Sequence, residues 1–344
     1  MTTVHVGISG MFRRSDGTWN FPHFDLSVLE SDDRFTVQQL AHGSTLAADE
    51  LRDIDGLILA GEALPRDALA GQERLAVVAR FGVGFDKVDV EACTENGVAL
   101  TTTPQAVRRP VAVAALTLVL ALAGKLLVKD SLTRKGPAGF AVRTDHMGVG
   151  LEGRTLGSVG LGNIGAEMFR LAAPLGMRHI AYDPWASARI AEETQVTLTD
   201  LATVFRESDF LCLHCPLTPE TRHLVNGARL ATMKPTSFLI NTARGAIVDQ
   251  QALEDALATG RLAGAGLDVL DPEPPPADAP ILALSNVILA PHALCWTDQC
   301  FAAIGAGCTA SMQALASGSP PPNVVNAAVL TAPRFLAKLA RWGR

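Results

Sequence analysis

The stretch from Thr155 to Asp183 constrains this chain more than any other. A short apolar run, Thr155–Val159, leads into Gly160-Leu-Gly162-Asn-Ile-Gly165, then a helical pattern over Ala166–Ala172. A second apolar run, Arg178–Tyr182, ends at Asp183. Strand, turn, helix, strand and acid in that order form a dinucleotide fingerprint, with the acid about 20 residues past the glycines. Gly160 permits the tight turn, Gly162 removes the Cβ that would block a pyrophosphate, and Gly165 lets helix and strand pack closely. The N–H groups of Asn163 and Ile164 then face the phosphates from a helix N-terminus, where the dipole favours anions. Asp183 accepts both adenosine ribose hydroxyls and repels a 2′-phosphate, so the expected cofactor is NAD rather than NADP. Glycine-rich turns also occur as structural turns and in S-adenosylmethionine enzymes. The ordered context selects the dinucleotide.

A chain of 344 residues has room for two domains. Apolar residues at 48% and charged residues at 19% predict a well-buried soluble globule. A net charge of −6 without any basic run argues against nucleic acid as the main partner. The N-terminus lacks a basic region followed by an apolar core, so no signal peptide is expected. Six scattered cysteines suggest reduced thiols and a cytoplasmic location. The uncharged run Pro110–Gly124 falls short of the ~20 residues a bilayer needs. It reads as a helix apolar on nearly all sides, buried in a core or a subunit interface, so a homodimer is expected and a membrane is not.

In chain order, Val4–Ser9, Phe35–Leu40, Gly56–Ala60, Leu75–Phe81 and Val98–Thr102 read as strands, with Gly10–Asn20 a loop. Helical segments are expected at Ala47–Arg52, Pro65–Leu69 and Val88–Asn96, the last closed by Gly97. This alternation implies a parallel sheet flanked by helices. One long helix is expected over Ala106–Leu132, then an irregular connection over Lys135–Gly150. After the fingerprint come strands at Phe210–His214, Ser237–Asn241, Ala263–Leu267 and Val287–Leu289. Helices are expected at Leu198–Arg206, Ala228–Met233, Gln251–Thr259 and Asp298–Ser317, and Pro333–Trp342 is a candidate basic amphipathic tail.

Polar residues follow several of these strands: Arg244, Asp268 and His292. In open parallel sheets ligands gather outside the carboxyl ends of strands, which would bring these residues together at the nicotinamide. Reduction of a 2-oxo acid requires a cation to fix the carboxylate and polarise the carbonyl, which suits the planar fork of Arg244. It requires an acid for the new alkoxide, which suits His292. A carboxylate that holds the imidazole charged and fixes its tautomer completes the set, and Glu273 suits that. Each has a bland alternative: a surface arginine, a structural histidine, a solvated loop glutamate. The pair Cys212-Leu-His-Cys215 matches C-x-x-C, but residues three apart on a strand face opposite ways, so neither metal nor disulfide is expected.

Taken together the motifs resemble the D-isomer-specific 2-hydroxyacid dehydrogenase family. The matching pieces are Arg80-Phe-Gly-Val-Gly-Phe-Asp86, Gly157–Gly165, Cys215-Pro-Leu-Thr-Pro-Glu-Thr221, Asn241-Thr-Ala-Arg-Gly245, Gly266–Pro274 and Pro291-His292. They span about Leu57 to Asn326. The resemblance implies two Rossmann-like, doubly wound α/β domains, an NAD-binding domain over 105–296 inserted into a substrate domain formed by 1–104 and 297–344. It implies that Arg244, Glu273 and His292 are catalytic and that the Val83–Gly84 turn holds the substrate carboxylate, closing over it as the domains close. Cofactor contacts would come from Gly160, Gly162, Asn163, Ile164, Gly165 and Asp183. Pro216 and Thr221 would line the adenosine side, and Thr242, Ala243 and Asp268 the nicotinamide side. Rivals within the fold are formate dehydrogenase, which usually pairs its histidine with glutamine, and phosphite dehydrogenase. A rival of another class is a non-catalytic NADH-sensing corepressor or scaffold.

Two stretches depart from the family pattern. Val113 stands where an acid is common, preceded by Arg108 and Arg109, and Ala293-Leu-Cys-Trp296 replaces small, Gly-rich residues. Trp296 is therefore expected to narrow or floor the substrate pocket. Arg13, Arg14, Arg108 and Arg109 are either readers of a second anionic group or solvated surface residues.

Overall fold

A computed structural model describes residues 3–14 and 16–342. Ser15 in the first loop and the last two residues of the tail lie outside the described residues. The chain divides into two compact units, one formed by 1–107 with 296–344 and the other by 108–295. The second is thus inserted in the sequence of the first.

Unit 1 holds five parallel strands: β1 (Val4–Ile8), β2 (Phe35–Gln39), β3 (Gly56–Leu59), β4 (Val77–Arg80) and β5 (Ala99–Thr101), in the order β2-β1-β3-β4-β5. β3 is buried along its whole length and β4 from Val77 to Ala79, as a sheet covered on both faces requires. The helix Asp298–Ala316 packs on this sheet. A Cβ on Gly56 would stand 2.4 Å from Met312 Sδ, so the helix side chain rests directly on the strand backbone.

Unit 2 holds seven parallel strands: β6 (Thr155–Val159), β7 (Arg178–Tyr182), β8 (Thr197–Leu198), β9 (Phe210–Leu213), β10 (Phe238–Asn241), β11 (Gly264–Leu267) and β12 (Val287–Leu289). Their order is β12-β11-β10-β9-β6-β7-β8. The chain leaves β6 in one direction through β7 and β8, then restarts at β9 on its other side. The turn after β6 therefore lies at the point where strand order reverses, where doubly wound sheets bind nucleotides. Neighbouring residues serve opposite faces. Cys212 and Ile240 enter one apolar cluster, while Leu211 and Leu239 enter the other. Cys212 and Cys215 likewise pack with different clusters, and both are free thiols.

The expected long helix is two. Pro104–Gly124 ends where Lys125 takes φ 50°, and Leu126–Arg134 restarts beyond it. The Ala123 carbonyl accepts from Val149 N at 2.9 Å, so a distant segment caps a helix that local propensity would have continued. The first helix is long and apolar enough to cross a membrane, and half of its most apolar window is buried. Leu118 and Leu122 lie against Gly266 of β11, where a Cβ would come within 2.9 Å of Leu118 Cβ. The connection after 135 contains a short helix, Pro137–Ala141, and a turn of 3₁₀ helix, Arg143–His146. The helix expected at 47–52 is a run of turns instead, since so short a segment gains too little to nucleate a helix. The helix Ala188–Glu193 had no expectation in the sequence, and the helix expected over Leu198–Arg206 begins only at Leu201, after the short strand β8.

Candidate active site

The turn after β6 is built from backbone constraints. Gly160 takes φ 102°, and a Cβ there would stand 2.7 Å from the His214 carbonyl carbon. A Cβ on Gly165 would stand 2.5 Å from the Gly160 oxygen, so the third glycine seats the helix against the turn itself. Gly162 differs, because a Cβ there would meet nothing within 4 Å. Packing among the described residues therefore does not require a glycine at that position. Asn163 opens the helix Asn163–Ala172. The Asp183 carboxylate accepts from Leu161 N at 2.8 Å and from Trp185 N at 2.9 Å, which fixes it beside the turn. An open hollow of about 380 Å³ is lined here by Leu161, Gly162, Asn163, Arg170, Asp183 and Trp185.

Three loops leave the carboxyl ends of β10, β11 and β12. The first is braced by Asn241, a buried residue whose Nδ2 donates to Arg244 O at 2.9 Å while its Oδ1 accepts from Ala243 N at 3.0 Å. Arg244 Nη1 donates to Ala243 O at 2.7 Å. Gly245 follows, where a Cβ would stand 1.9 Å from Leu270 O, so the Arg244 loop lies directly on the loop that carries Glu273. The Thr242 hydroxyl has no hydrogen-bond partner among the described residues. In the loop after β9, Thr221 Oγ1 accepts from Thr218 N at 2.7 Å and donates to Pro216 O at 2.6 Å, holding its shape.

Asp268, buried after β11, organises the third loop. Its carbonyl accepts from His292 N at 2.7 Å, and its Oδ1 accepts from Ala293 N at 3.0 Å and Leu294 N at 3.1 Å. Burial raises its carboxyl above the usual range, against these two hydrogen bonds. His292 is held at φ 55°, a left-handed conformation uncommon for a residue with a Cβ and characteristic of functional sites. Its Nδ1 meets Glu273 Oε1 at 2.7 Å. Burial alone would raise the Glu273 carboxyl. The hydrogen bond and charge of His292, with the charge of Arg244, outweigh it and hold the group below its ordinary value. Both side chains remain 42% exposed. Unit 2 thus brings Arg244, Glu273 and His292 into one electrostatic group from loops far apart in sequence. Sequence reasoning missed Asn241 and Gly245 as bracing residues, although an Asx residue closing an apolar strand is a readable signal for such a turn.

Arg108 and Arg109 belong to another group. Glu167, buried in the helix after the glycine turn, meets Arg109 Nη1 at 3.0 Å, Arg170 Nη1 at 3.6 Å and Arg108 Nε at 3.9 Å. Burial pushes the Cys215 thiol up to about 11, so it is protonated at neutral pH. In unit 1, the Val83–Gly84 turn follows β4. Gly82 takes φ 118°, and its carbonyl accepts from Thr103 N at 2.9 Å, which ties the turn to the end of β5.

A parallel sheet with a glycine cradle at its switch point, an acid beside it and an Arg–Glu–His group on neighbouring strand ends defines an NAD-binding dehydrogenase. The comparisons identify which kind. The NAD-binding domain of the D-isomer specific 2-hydroxyacid dehydrogenases matches residues 116–293. A glyoxylate reductase of Korarchaeum cryptofilum is 38% identical over 284 residues, 82% of this chain and 86% of that one. Among solved structures, Rhodotorula graminis D-mandelate dehydrogenase superposes with a TM-score of 0.81 at 28% identity, covering 94% of this chain and 98% of that one. D-lactate dehydrogenase from Aquifex aeolicus, solved with NAD and lactic acid, gives 0.78 at 27% identity, covering 91% and 96%. This chain belongs to the D-isomer specific 2-hydroxyacid dehydrogenase family. It is an enzyme with NAD-dependent 2-hydroxyacid dehydrogenase activity.

Proposed function

We propose that the enzyme interconverts a 2-oxo acid and the D-2-hydroxy acid, with His292 as the acid in reduction and the base in oxidation. NAD(H) supplies or accepts the hydride, so the balance is 2-oxo acid plus NADH plus H⁺ giving 2-hydroxy acid plus NAD⁺. The observation that carries the reading is the 2.7 Å contact between His292 Nδ1 and Glu273 Oε1. It commits Nδ1 to the carboxylate and leaves Nε2 as the nitrogen that gives its proton to the carbonyl oxygen. Glu273 positions the imidazole and balances its charge. Arg244 fixes the substrate carboxylate and polarises the carbonyl, and the N–H groups of Val83 and Gly84 hold the same carboxylate. Asp268 and Asn241 act through the loops they brace. Asn163 and Ile164 hold the pyrophosphate, with Gly160, Gly162 and Gly165 making room for it. Asp183 takes the ribose hydroxyls, Pro216 and Thr221 face the adenosine side, and Thr242 and Ala243 the nicotinamide carboxamide. On this reading 105–296 is the NAD-binding domain, and 1–104 with 297–344 is the substrate domain.

The test is NADH oxidation over a panel of 2-oxo acids, with the product's configuration determined by chiral chromatography. An L product, or no turnover of any member, would overturn the reading. We also read the enzyme as a cytoplasmic homodimer. The free thiols fit a reducing compartment. Exposed Leu120, Leu126, Leu127, Phe140 and Met147 on the long helices and the segment after them fit a face that a second copy covers. Sedimentation as a monomer at micromolar concentration would refute the dimer.

A further inference from the structure

The rim of unit 1 is aromatic in a chain where aromatic residues make up only 5%. Phe12, Phe24, Phe81 and Phe301 are buried against one another there, with Phe12 and Phe81 rings 5.2 Å apart and Phe81 and Phe301 rings 5.7 Å apart. Those four rings serve as core. Above them sit Phe21 and Trp296, whose rings lie 5.7 Å apart at 79°, and Trp296 also packs on Phe301 at 5.3 Å. Trp296 nevertheless stays 49% exposed. A tryptophan held by two rings yet open on one side presents a fixed apolar surface at little entropic cost.

The position of these rings matters more than their number. Met11 to Phe21 follow β1, and Phe81 follows β4 immediately before the Gly82-Val83-Gly84 turn. These are carboxyl ends of parallel strands, where ligands bind. Trp296 follows His292 after Ala293-Leu294-Cys295. The buried Glu62 carboxylate, accepting from Met11 N at 3.1 Å and Gly61 N at 3.0 Å, ties the loop after β1 to the loop after β3. The cations of the first loop are committed to its own shape. The Arg13 guanidinium lies 4.1 Å from the centre of the Trp19 ring, and Arg14 Nε donates to Asn20 Oδ1 at 3.1 Å.

We infer that Trp296 and Phe21 form the wall that recognises the substrate's side chain, so that the enzyme favours 2-oxo acids with a bulky apolar or aromatic side chain. Glyoxylate, with hydrogen in place of a side chain, leaves both rings hydrated, and phosphorylated or dicarboxylic acids meet rings where they need cations. The inference rests on the catalytic reading above, and the redox balance is the same, since only the group attached to the carbonyl changes. The experiment compares kcat/KM with NADH for phenylpyruvate, 4-methyl-2-oxopentanoate, glyoxylate and 2-oxoglutarate. The native enzyme should favour phenylpyruvate over glyoxylate by about tenfold or more. Trp296→Ala and Phe21→Ala should each lower the phenylpyruvate-to-glyoxylate ratio by roughly tenfold, and Trp296→Phe should keep most of it. A native preference for glyoxylate or 2-oxoglutarate, or an unchanged ratio in a folded Trp296→Ala enzyme, would overturn the inference and leave the catalytic reading standing. Failure to turn over any of the four overturns both. If the alanine variants do not fold, the native panel and Trp296→Phe decide.

Discussion

The two units use one architecture for opposite purposes. Each is a parallel sheet whose loops at the carboxyl ends do the work, but unit 2 furnishes those loops with glycines and ionisable groups and unit 1 with aromatic rings. In unit 2 the loops are set by hydrogen bonds from buried polar residues, Asn241 to 243–244 and Asp268 to 292–294. In unit 1 ring packing adds to such bonds, from Phe12 through Phe81 and Phe301 to Trp296. On the proposed reading, the contrast follows from the tasks. Proton and hydride transfer require donors fixed to fractions of an ångström, which directional hydrogen bonds supply. Recognition of an apolar side chain requires dry surface, which rings supply.

If chemistry resides in unit 2, the largest effect should come from His292. His292→Ala should lower kcat by roughly a thousandfold, while NADH affinity, followed by fluorescence titration, stays within a few-fold. Equal loss of both would place His292 in cofactor binding instead. Glu273→Gln keeps a hydrogen-bond acceptor and removes the charge, so turnover should fall about 10- to 100-fold. The pH profile sharpens this prediction. The folded carboxyl sits below its ordinary value of 4.5, so the native enzyme keeps its charge, and its advantage over the Gln variant, at all pH values above that. The advantage should be lost only as pH falls through the depressed value. Convergence of the two profiles well above pH 4.5 would refute the assigned ion pair.

Asp183→Ala tests the cofactor side of unit 2. The ratio of kcat/KM for NADH over NADPH should fall about tenfold, equivalent to about 1.4 kcal/mol, and an unchanged ratio would remove Asp183 from cofactor choice. The smallest effect belongs to unit 1 and concerns stability alone. Lys338 Nζ, buried, donates to Leu75 O at 2.6 Å and Asn96 O at 2.7 Å, pinning the helix Pro333–Leu339 to the unit. Lys338→Met leaves both carbonyls unpaired and should cost about 1–3 kcal/mol in denaturant unfolding, with kcat unaffected. Burial lowers the Lys338 amine to about 8 from an unfolded value of 10.5, so between these values the unfolded chain binds the extra proton. Stability relative to the Met variant should therefore rise with pH across that window. A flat difference would show that the amine titrates normally.

Most of this was legible in the order of residues. The cofactor fold could be read because its requirements are local: a turn that excludes Cβ atoms, a helix start that faces phosphates and an acid one strand later all fall within Thr155–Asp183. Arg244, Glu273 and His292 could be singled out because each closes or follows an apolar strand, and strand ends in such sheets are where ligands gather. The two helices over 104–134 could not be separated, because the cap on Ala123 comes from Val149. Gly266 of β11 carried no visible reason until the helix Pro104–Gly124 lay across it.

The chain order by itself determined the class of fold and the cofactor and singled out the residues proposed to move a proton, since backbone geometry and side-chain chemistry there depend on near neighbours. Only the tertiary structure decided that His292 and Glu273 meet at 2.7 Å. It alone showed that Arg108 and Arg109 gather with Arg170 around Glu167. It also showed that Phe21 and Trp296, 275 residues apart by their numbers, pack ring against ring. Those pairings join segments remote in sequence, and packing sets them, not local preference.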